Sequence, residues 1–205
     1  SEMKRLGNLF VVSAPSGAGK TTLCQRLKDI LDDIRFSVSY TTRPQREGEI
    51  NDIHYTFVDE EEFRSMISEG EFVEWAEVYG NFYGTSRKRV EDIINSGYDV
   101  LLDIDVQGAR KIKDFYPQSV LIFVLPPSIE VLRDRLSKRK TESEDVIRRR
   151  IHNAIDEIRE FVNYDYVIIN NILDEAVRDL LSIIKAERLK IDRIDKDWVV
   201  KKFLQ

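Results

Sequence analysis

The chain has 205 residues, of which 42% are hydrophobic and 34% charged, and a formal net charge of −5. Length and composition suit one globular domain with a proper buried core. The acidic balance argues against general binding to nucleic acid or anionic membranes, and no apolar run approaches the roughly 18 residues of a membrane span or the core of a signal peptide.

Leu9–Val12 is the first apolar run and predicts a buried strand. It leads into Ala14-Pro15-Ser16-Gly17-Ala18-Gly19-Lys20-Thr21, and Thr21–Leu31 then has the spacing of an amphipathic helix. Strand, glycine loop and helix in that order make a phosphate cradle. Backbone N–H groups and the positive helix end face an anion, Lys20 adds a point charge, and Thr21 offers a hydroxyl to Mg²⁺. These residues, with Thr22, are the expected ligands of a nucleoside triphosphate. Ala14 stands where the usual pattern has its first glycine, which requires a negative φ there. The single cysteine, Cys24, falls on the apolar side of the helix as a core residue. It excludes an intrachain disulfide and points to a reducing, cytoplasmic setting.

From Phe36 to Arg87 the pattern changes. Short strand-like pieces (Phe36–Thr41, His54–Val58), an acidic helix (Asp59–Ser68) and aromatic turns (Tyr79–Gly84) read as an insertion able to move against the core. Arg43 and Arg46 flank Pro44 and can present two guanidinium forks to one phosphate, with Tyr55 and Tyr83 adding phenolic hydroxyls. Glu74 lies among Phe72, Val73, Trp75 and Ala76, and a carboxylate in such company needs a partner, which a ligand can supply.

Beyond the insertion the rhythm resumes with a helix at Lys88–Asn95 and strands at Val100–Ile104 and Val120–Leu125. Helices at Ser128–Ser137 and Ser143–Val162, a strand at Tyr166–Ile169 and a helix at Asp174–Leu189 follow, with Ser128 and Asp174 as N-caps. Alternating strands and helices predict a parallel sheet covered on both faces. Basic residues outnumber acidic ones across 133–150, on both sides of Lys140-Thr141-Glu142-Ser143, and suggest a lid over phosphates. His54 and His152 have no metal-site company, so no structural zinc is expected. The tail 190–205 carries Trp198, Phe203 and Leu204, apolar enough to pack on the core or on a second subunit, so the chain is expected to be a monomer or a small homo-oligomer.

Five segments together resemble the guanylate kinase family: Ala14–Thr21, Thr41–Glu49, Glu71–Ala76, Gly80–Thr85 and Leu102–Gly108. The likeness runs in order from about Leu6 to Leu189. It implies an α/β fold of three layers (α/β/α) with a central parallel sheet, an inserted mixed α+β region for the nucleoside monophosphate, and a helical lid. A kinase-like domain would span 6–189, with its core in 6–35, 96–136 and 151–189, the GMP-binding region in 36–88 and the lid in 137–150; residues 190–205 form a C-terminal extension. The implied reaction is ATP + GMP ⇌ ADP + GDP with Mg²⁺, the partners being these small molecules.

Carried over by position, the acceptor phosphate ligands fall on Arg43, Arg46, Tyr55 and Tyr83, and the guanine contacts on Ser39, Glu74, Thr85 and Asp105. Asp103, also on the GMP side, would order Mg²⁺ through water. Arg135, Arg139 and Arg150 would be the lid arginines, acting with Lys20 and Arg43 in catalysis, and Asn170 the adenine-side residue. The chemistry agrees, because Glu74 and Asp105 can accept from guanine N1–H and the 2-amino group while a Ser39 or Thr85 hydroxyl can donate to O6. Lys138-Arg139-Lys140 replaces the family's usual Gly-Arg-Gly and should stiffen the lid. Asn170-Asn171-Ile172 departs from an Asn-Asp-Asp-like turn. Two other classes compete: a silent scaffold, against which the intact loop counts, and a P-loop GTPase, for which no Asn-Lys-x-Asp motif is found.

Overall fold

The computed structural model describes residues 2–138 and 142–205. β1 (Leu9–Ser13) is buried along its whole length and passes through the glycine loop into α1 (Lys20–Ile30), which lays Leu23, Cys24 and Leu27 on the sheet. β2 (Ile34–Phe36) follows, and then a second sheet made of β3 (Tyr40–Thr41), β4 (Thr56–Phe57), β5 (Phe72–Val78) and β6 (Asn81–Ser86), with α2 (Glu60–Ser68) between β4 and β5. α3 (Arg87–Asn95), β7 (Asp99–Asp103), α4 (Val106–Phe115) and β8 (Val120–Leu125) return the chain to the first sheet. α5 (Ile129–Ser137), α6 (Glu144–Ile158), β9 (Tyr166–Ile169) and α7 (Leu173–Arg188) complete it, and α8 (Lys196–Val199) leads into the wider turns of Val200–Leu204.

The first sheet has the order β2-β7-β1-β8-β9 with every pairing parallel. Alternate residues of its strands face two cores. Phe10, Val12, Leu101, Ile122 and Ile168 pack with residues of α1 and α7, whereas Leu9, Val11, Val100, Leu102 and Leu121 pack with Val90 of α3 and Ala109 and Ile112 of α4. Both faces are covered, which is why these strands read as unbroken apolar runs and why the layers number three. Register pairs Val12 with Asp103 and Ser13 with Phe123, so the C-terminal ends of β7, β1 and β8 open together beside the glycine loop. Ligands bind at such an edge in open parallel sheets.

Several details differ from the sequence pattern, among them α4, a helix it did not predict. Phe36–Thr41 is not one strand: β2 ends at Phe36 on the edge of the first sheet, and Tyr40 already belongs to the second. The aromatic stretch Tyr79–Gly84 is mostly strand, since Val78 pairs with Asn81 around a two-residue turn whose members, Tyr79 (φ 50°) and Gly80 (φ 79°), both have positive φ. Right-handed strand twist selects that turn geometry, and Gly80 makes it accessible. Asp174 does not cap α7; the helix begins at Leu173 after Ile172, and the Asp174 carboxylate accepts from Arg26 at 2.6 Å instead. Ser128 does cap α5, accepting from the Val131 N–H at 3.2 Å. The helix predicted over Ser143–Val162 is α-helical to Ile158 and tightens into a 3₁₀ turn at Arg159–Asn163. In the tail, Trp198 meets the Phe203 ring edge-on at 5.9 Å, while the Phe203 and Leu204 side chains stay exposed.

The second sheet has an aromatic core of its own. Phe63 of α2 is fully buried, with ring centroids 4.6 Å from Phe72 and 5.3 Å from Phe82. Phe63→Ala is expected to destabilise this region by about 3–5 kcal/mol, through lost transfer energy and a residual cavity. Urea unfolding followed by Trp75 fluorescence would measure it.

Candidate active site

The glycine loop is shaped by bonds to its carbonyls. Arg135 of α5 donates Nη1–H to the Gly17 oxygen at 2.9 Å, and Asn170, at the end of β9, donates Nδ2–H to the Ala18 oxygen at 2.9 Å. Gly19 sits at the start of α1 with φ 81°, and no side chain among the described residues caps the first-turn N–H groups, which suit an anion. A Cβ on Gly19 would stand 2.5 Å from Asn170 Nδ2, so glycine is required both for the backbone angle and for the space. Ala14 is not among the positive-φ residues and packs its methyl against the core, so it is tolerated where the usual loop has glycine. Ser16, Thr21 and Thr22 are exposed around this rim, while Pro15 and Ala18 are buried beneath it.

Lys20 forms an ion pair with Asp103, the last residue of β7. Burial pushes the Cys24 thiol up to about 12, with the Asp103 charge adding and Lys20 opposing, so Cys24 is an inert core residue.

Asp103 also lines a cleft of about 400 Å³ between the two sheets, together with Ser39, Tyr55, Glu74, Tyr83 and Asp105. Glu74 reaches it by a register shift in β5 between Phe72 and Glu74, where Val73 and Glu74 are both buried in succession. On β6, directly opposite, Thr85 donates its hydroxyl to Glu74 Oε1 at 2.7 Å. Burial raises the Glu74 carboxyl above the ordinary range; Thr85 pulls it down, Asp105 adds to the rise and Lys111 opposes it. Asp105 caps α4, accepting from the Gly108 N–H at 2.8 Å.

At the rim, the guanidinium of Arg43 lies 5.2 Å from the Tyr55 ring centroid, and the Tyr55 and Tyr83 rings are 6.0 Å apart. Arg43 is almost buried and bonds both carboxylate oxygens of Glu49 at 2.8 Å.

Not every sequence-assigned residue stands as expected. Thr85 is fully buried beside Glu74 and directs its proton to that carboxylate, so it orients the acceptor group. The Asn170 amide N–H is turned to the loop carbonyl. Arg46 is exposed, and its backbone N–H, 2.8 Å from Glu49 Oε1, is its tie to the site. Arg150 bonds Glu142 at 2.7 Å. Arg139 lies outside the described residues.

Two further residues, given no role from the sequence, bear on the Glu74 and Asp105 carboxylates. Gly108 is one, because a Cβ there would press within 3.1 Å of both Glu74 Oε2 and Asp105 Oδ1. In the sequence it closes the Leu102–Gly108 segment, and its Asp-x-x-Gly spacing to Asp105 suits a cap. Glu157 of α6 is another; burial and the Asp105 charge raise its carboxyl, while Lys20 draws it down.

The family model described as guanylate kinase matches residues 6–187. The chain belongs to the guanylate kinase family. Among curated relatives it is 53% identical to a guanylate kinase of Geobacter metallireducens over 94% of this chain and 95% of that one. It is 48% identical to that of Carboxydothermus hydrogenoformans over 92% and 93%. A crystal structure of guanylate kinase from Anaplasma phagocytophilum superposes with a TM-score of 0.80 at 38% identity, covering 99% of this chain and 98% of that one. The architecture described above, an α/β fold with a central parallel sheet and a mixed second sheet, agrees with that likeness.

Proposed function

We propose that this chain transfers the terminal phosphoryl group of ATP to GMP, giving ADP and GDP, with the triphosphate on the glycine loop and the acceptor in the cleft between the sheets. The observation that carries this reading is the double position of Asp103, which pairs with Lys20 and also forms a wall of the cleft. Donor and acceptor phosphates would thus meet at one residue.

Family membership supports ATP and GMP as the substrates. The loop N–H groups, Lys20, Arg135 and, by position, Arg139 and Arg150 serve the donor; Arg43, Arg46, Tyr55 and Tyr83 serve the acceptor phosphate. Glu74 and Asp105 accept from the guanine N1–H and 2-amino group, Ser39 faces O6, and Thr85 holds Glu74. An acceptor phosphate oxygen is already anionic, so it attacks the γ-phosphorus in line without a general base, and the bond to the bridging oxygen of ADP breaks. The protein contributes positioning and charge.

A hydroxyl and one carboxylate at the foot of the loop suit Mg²⁺, which takes few protein ligands and keeps water and phosphate oxygens around it. Thr21 would hold it directly and Asp103 through water, and the ion would neutralise charge on the phosphates. The core, the GMP-binding region and the lid would move as three parts, closing to exclude water that would otherwise hydrolyse ATP. The lone, buried Cys24 supports a reducing cytoplasm as its setting.

A coupled ADP-release assay with GMP, AMP, UMP or no acceptor tests the reading. GMP should be strongly preferred and release without acceptor negligible; equal rates with AMP would refute it. Arg43→Ala should raise KM for GMP by roughly tenfold or more while leaving KM for ATP within about twofold. Equal changes in both would remove Arg43 from the acceptor site.

A further inference from the structure

Arg43 is the guanidinium at the acceptor end of the cleft, yet much of its donor capacity is engaged by protein. Nη1 donates to Glu49 Oε1 at 2.8 Å and to the Pro44 carbonyl at 3.1 Å, and Nη2 donates to Glu49 Oε2 at 2.8 Å. A guanidinium has five N–H donors in a rigid plane. Three are therefore committed, and the two that neither Glu49 nor Pro44 takes are Nε–H and the outer hydrogen of Nη2. Those two lie side by side on one edge and form a second fork of the kind that grips a phosphate bidentately.

Glu49 is itself held in place. Its Oε1 accepts the Arg46 backbone N–H at 2.8 Å, its own N–H reaches the Arg46 carbonyl at 3.1 Å, and its carbonyl accepts from Gln45 Nε2 at 2.7 Å. One carboxylate thus closes the turn 43–49 and sets the rotation of the Arg43 plane. The rings of Tyr55, at 5.2 Å, and Phe57, at 5.9 Å, flank that guanidinium. The Arg43 fork holds the Glu49 carboxyl down at about 2, well below the ordinary carboxylate range.

We propose that Glu49 is a positioning residue for the acceptor phosphate: it occupies the Nη1/Nη2 edge of Arg43 so that the Nε/Nη2 edge meets the phosphate of GMP. This rests on the assignment of Arg43 to the acceptor site made above. The idea opposes simple electrostatics. Glu49 brings a negative charge toward a dianion, so by Coulomb's law alone its removal should tighten GMP. If orientation governs, its removal weakens GMP, because Arg43 then has to be ordered at each binding event.

Calorimetric titration of GMP and of guanosine, which lacks the phosphate, decides between them. Glu49→Gln should weaken GMP by roughly tenfold and leave guanosine within about twofold, a split that a general loss of structure would not give. In the double variant Glu49→Gln/Arg43→Ala, GMP should bind no more weakly than with Arg43→Ala alone, since Glu49 acts through Arg43. Should Glu49→Gln not fold, Glu49→Asp, with its charge one methylene short of the fork, carries the same expectation. Unchanged or tighter GMP binding in these variants, or an equal loss of guanosine, overturns the role of Glu49. If Arg43→Ala itself leaves the GMP-to-guanosine ratio unchanged, the acceptor-site assignment fails and the Glu49 inference falls with it.

Discussion

Replacing Lys20 with alanine is expected to lower kcat by roughly 10²–10⁴-fold while changing KM for GMP by no more than about threefold. Lys20 opens α1 immediately after the loop and carries an ion pair to Asp103, with both side chains partly exposed. Charge on the transferred group and on the departing ADP oxygen grows only as the reaction proceeds. A cation held at that point is therefore worth more in the transition state than in the ground state. Loss of Lys20 also leaves Asp103 unpaired where donor and acceptor phosphates converge, adding repulsion. Steady-state rates with both substrates saturating would measure the fall in kcat, and a purely KM-based loss would show that Lys20 serves ground-state binding.

Glu74→Gln is expected to reduce the preference for GMP over AMP by roughly 10²-fold, chiefly through a fall in kcat/KM for GMP. Thr85 donates to Oε1, and Oε2 stands close to the Gly108 backbone at the cleft wall, so the carboxylate is fixed as an acceptor. An amide there turns a donor toward the N1–H and 2-amino group of guanine, leaving buried donors opposed. Adenine has neither donor and should lose little. Because burial raises the Glu74 carboxyl, with Asp105 adding and Thr85 and Lys111 opposing, its protonated form persists to higher pH than for an exposed glutamate. GMP affinity should thus weaken on acidification earlier than an unburied carboxylate would allow. Competition assays with the two nucleotides across pH would show both effects, and unchanged selectivity in Glu74→Gln would exclude Glu74 from base reading.

Much of this site was legible because its parts carry strong local chemistry. The run Leu9–Val12 ahead of Gly17-Ala18-Gly19-Lys20 can form little other than a buried strand feeding an anion loop, and the doubly covered sheet explains the unbroken apolar character of β1 and β8. Arg43, Tyr55, Glu74 and Tyr83 stood out by residue type and Asp105 through the family resemblance, and the cleft gathers all but Arg43, which lies beside Tyr55. Geometry that depends on neighbours far along the chain was not legible. No local signal divides Ile34–Phe36 from Tyr40–Thr41, since both are extended and only their partners, β7 and β6, differ. α4 was hidden because Gly108 lowers helix propensity within its first turn, and its cap, Asp105, reads equally well as a ligand. The orientation of Thr85 toward Glu74 follows from strand register, and that of Asn170 toward Ala18 from the meeting of β9 with the loop. Neither is written in residue type.

The aromatic core around Phe63 has a thermodynamic consequence. Phe63 and Phe82 bury themselves apart from the two cores of the parallel sheet, whereas Val73 of β5 joins the core under α3 and α4, and Lys111 of α4 donates to the Trp75 carbonyl at 2.8 Å. A unit that keeps an aromatic core of its own, and meets the parallel sheet mainly through β5 on α4, can open locally where that one contact gives way. Backbone amides of β5 and β6 should then exchange with solvent at a lower free energy than those of β1 and β8. GMP, held by that unit on one side and by Asp103 and Asp105 on the other, should bring the two sets of amides closer together. The acceptor nucleotide would in this way act as a mechanical tie between the two sheets.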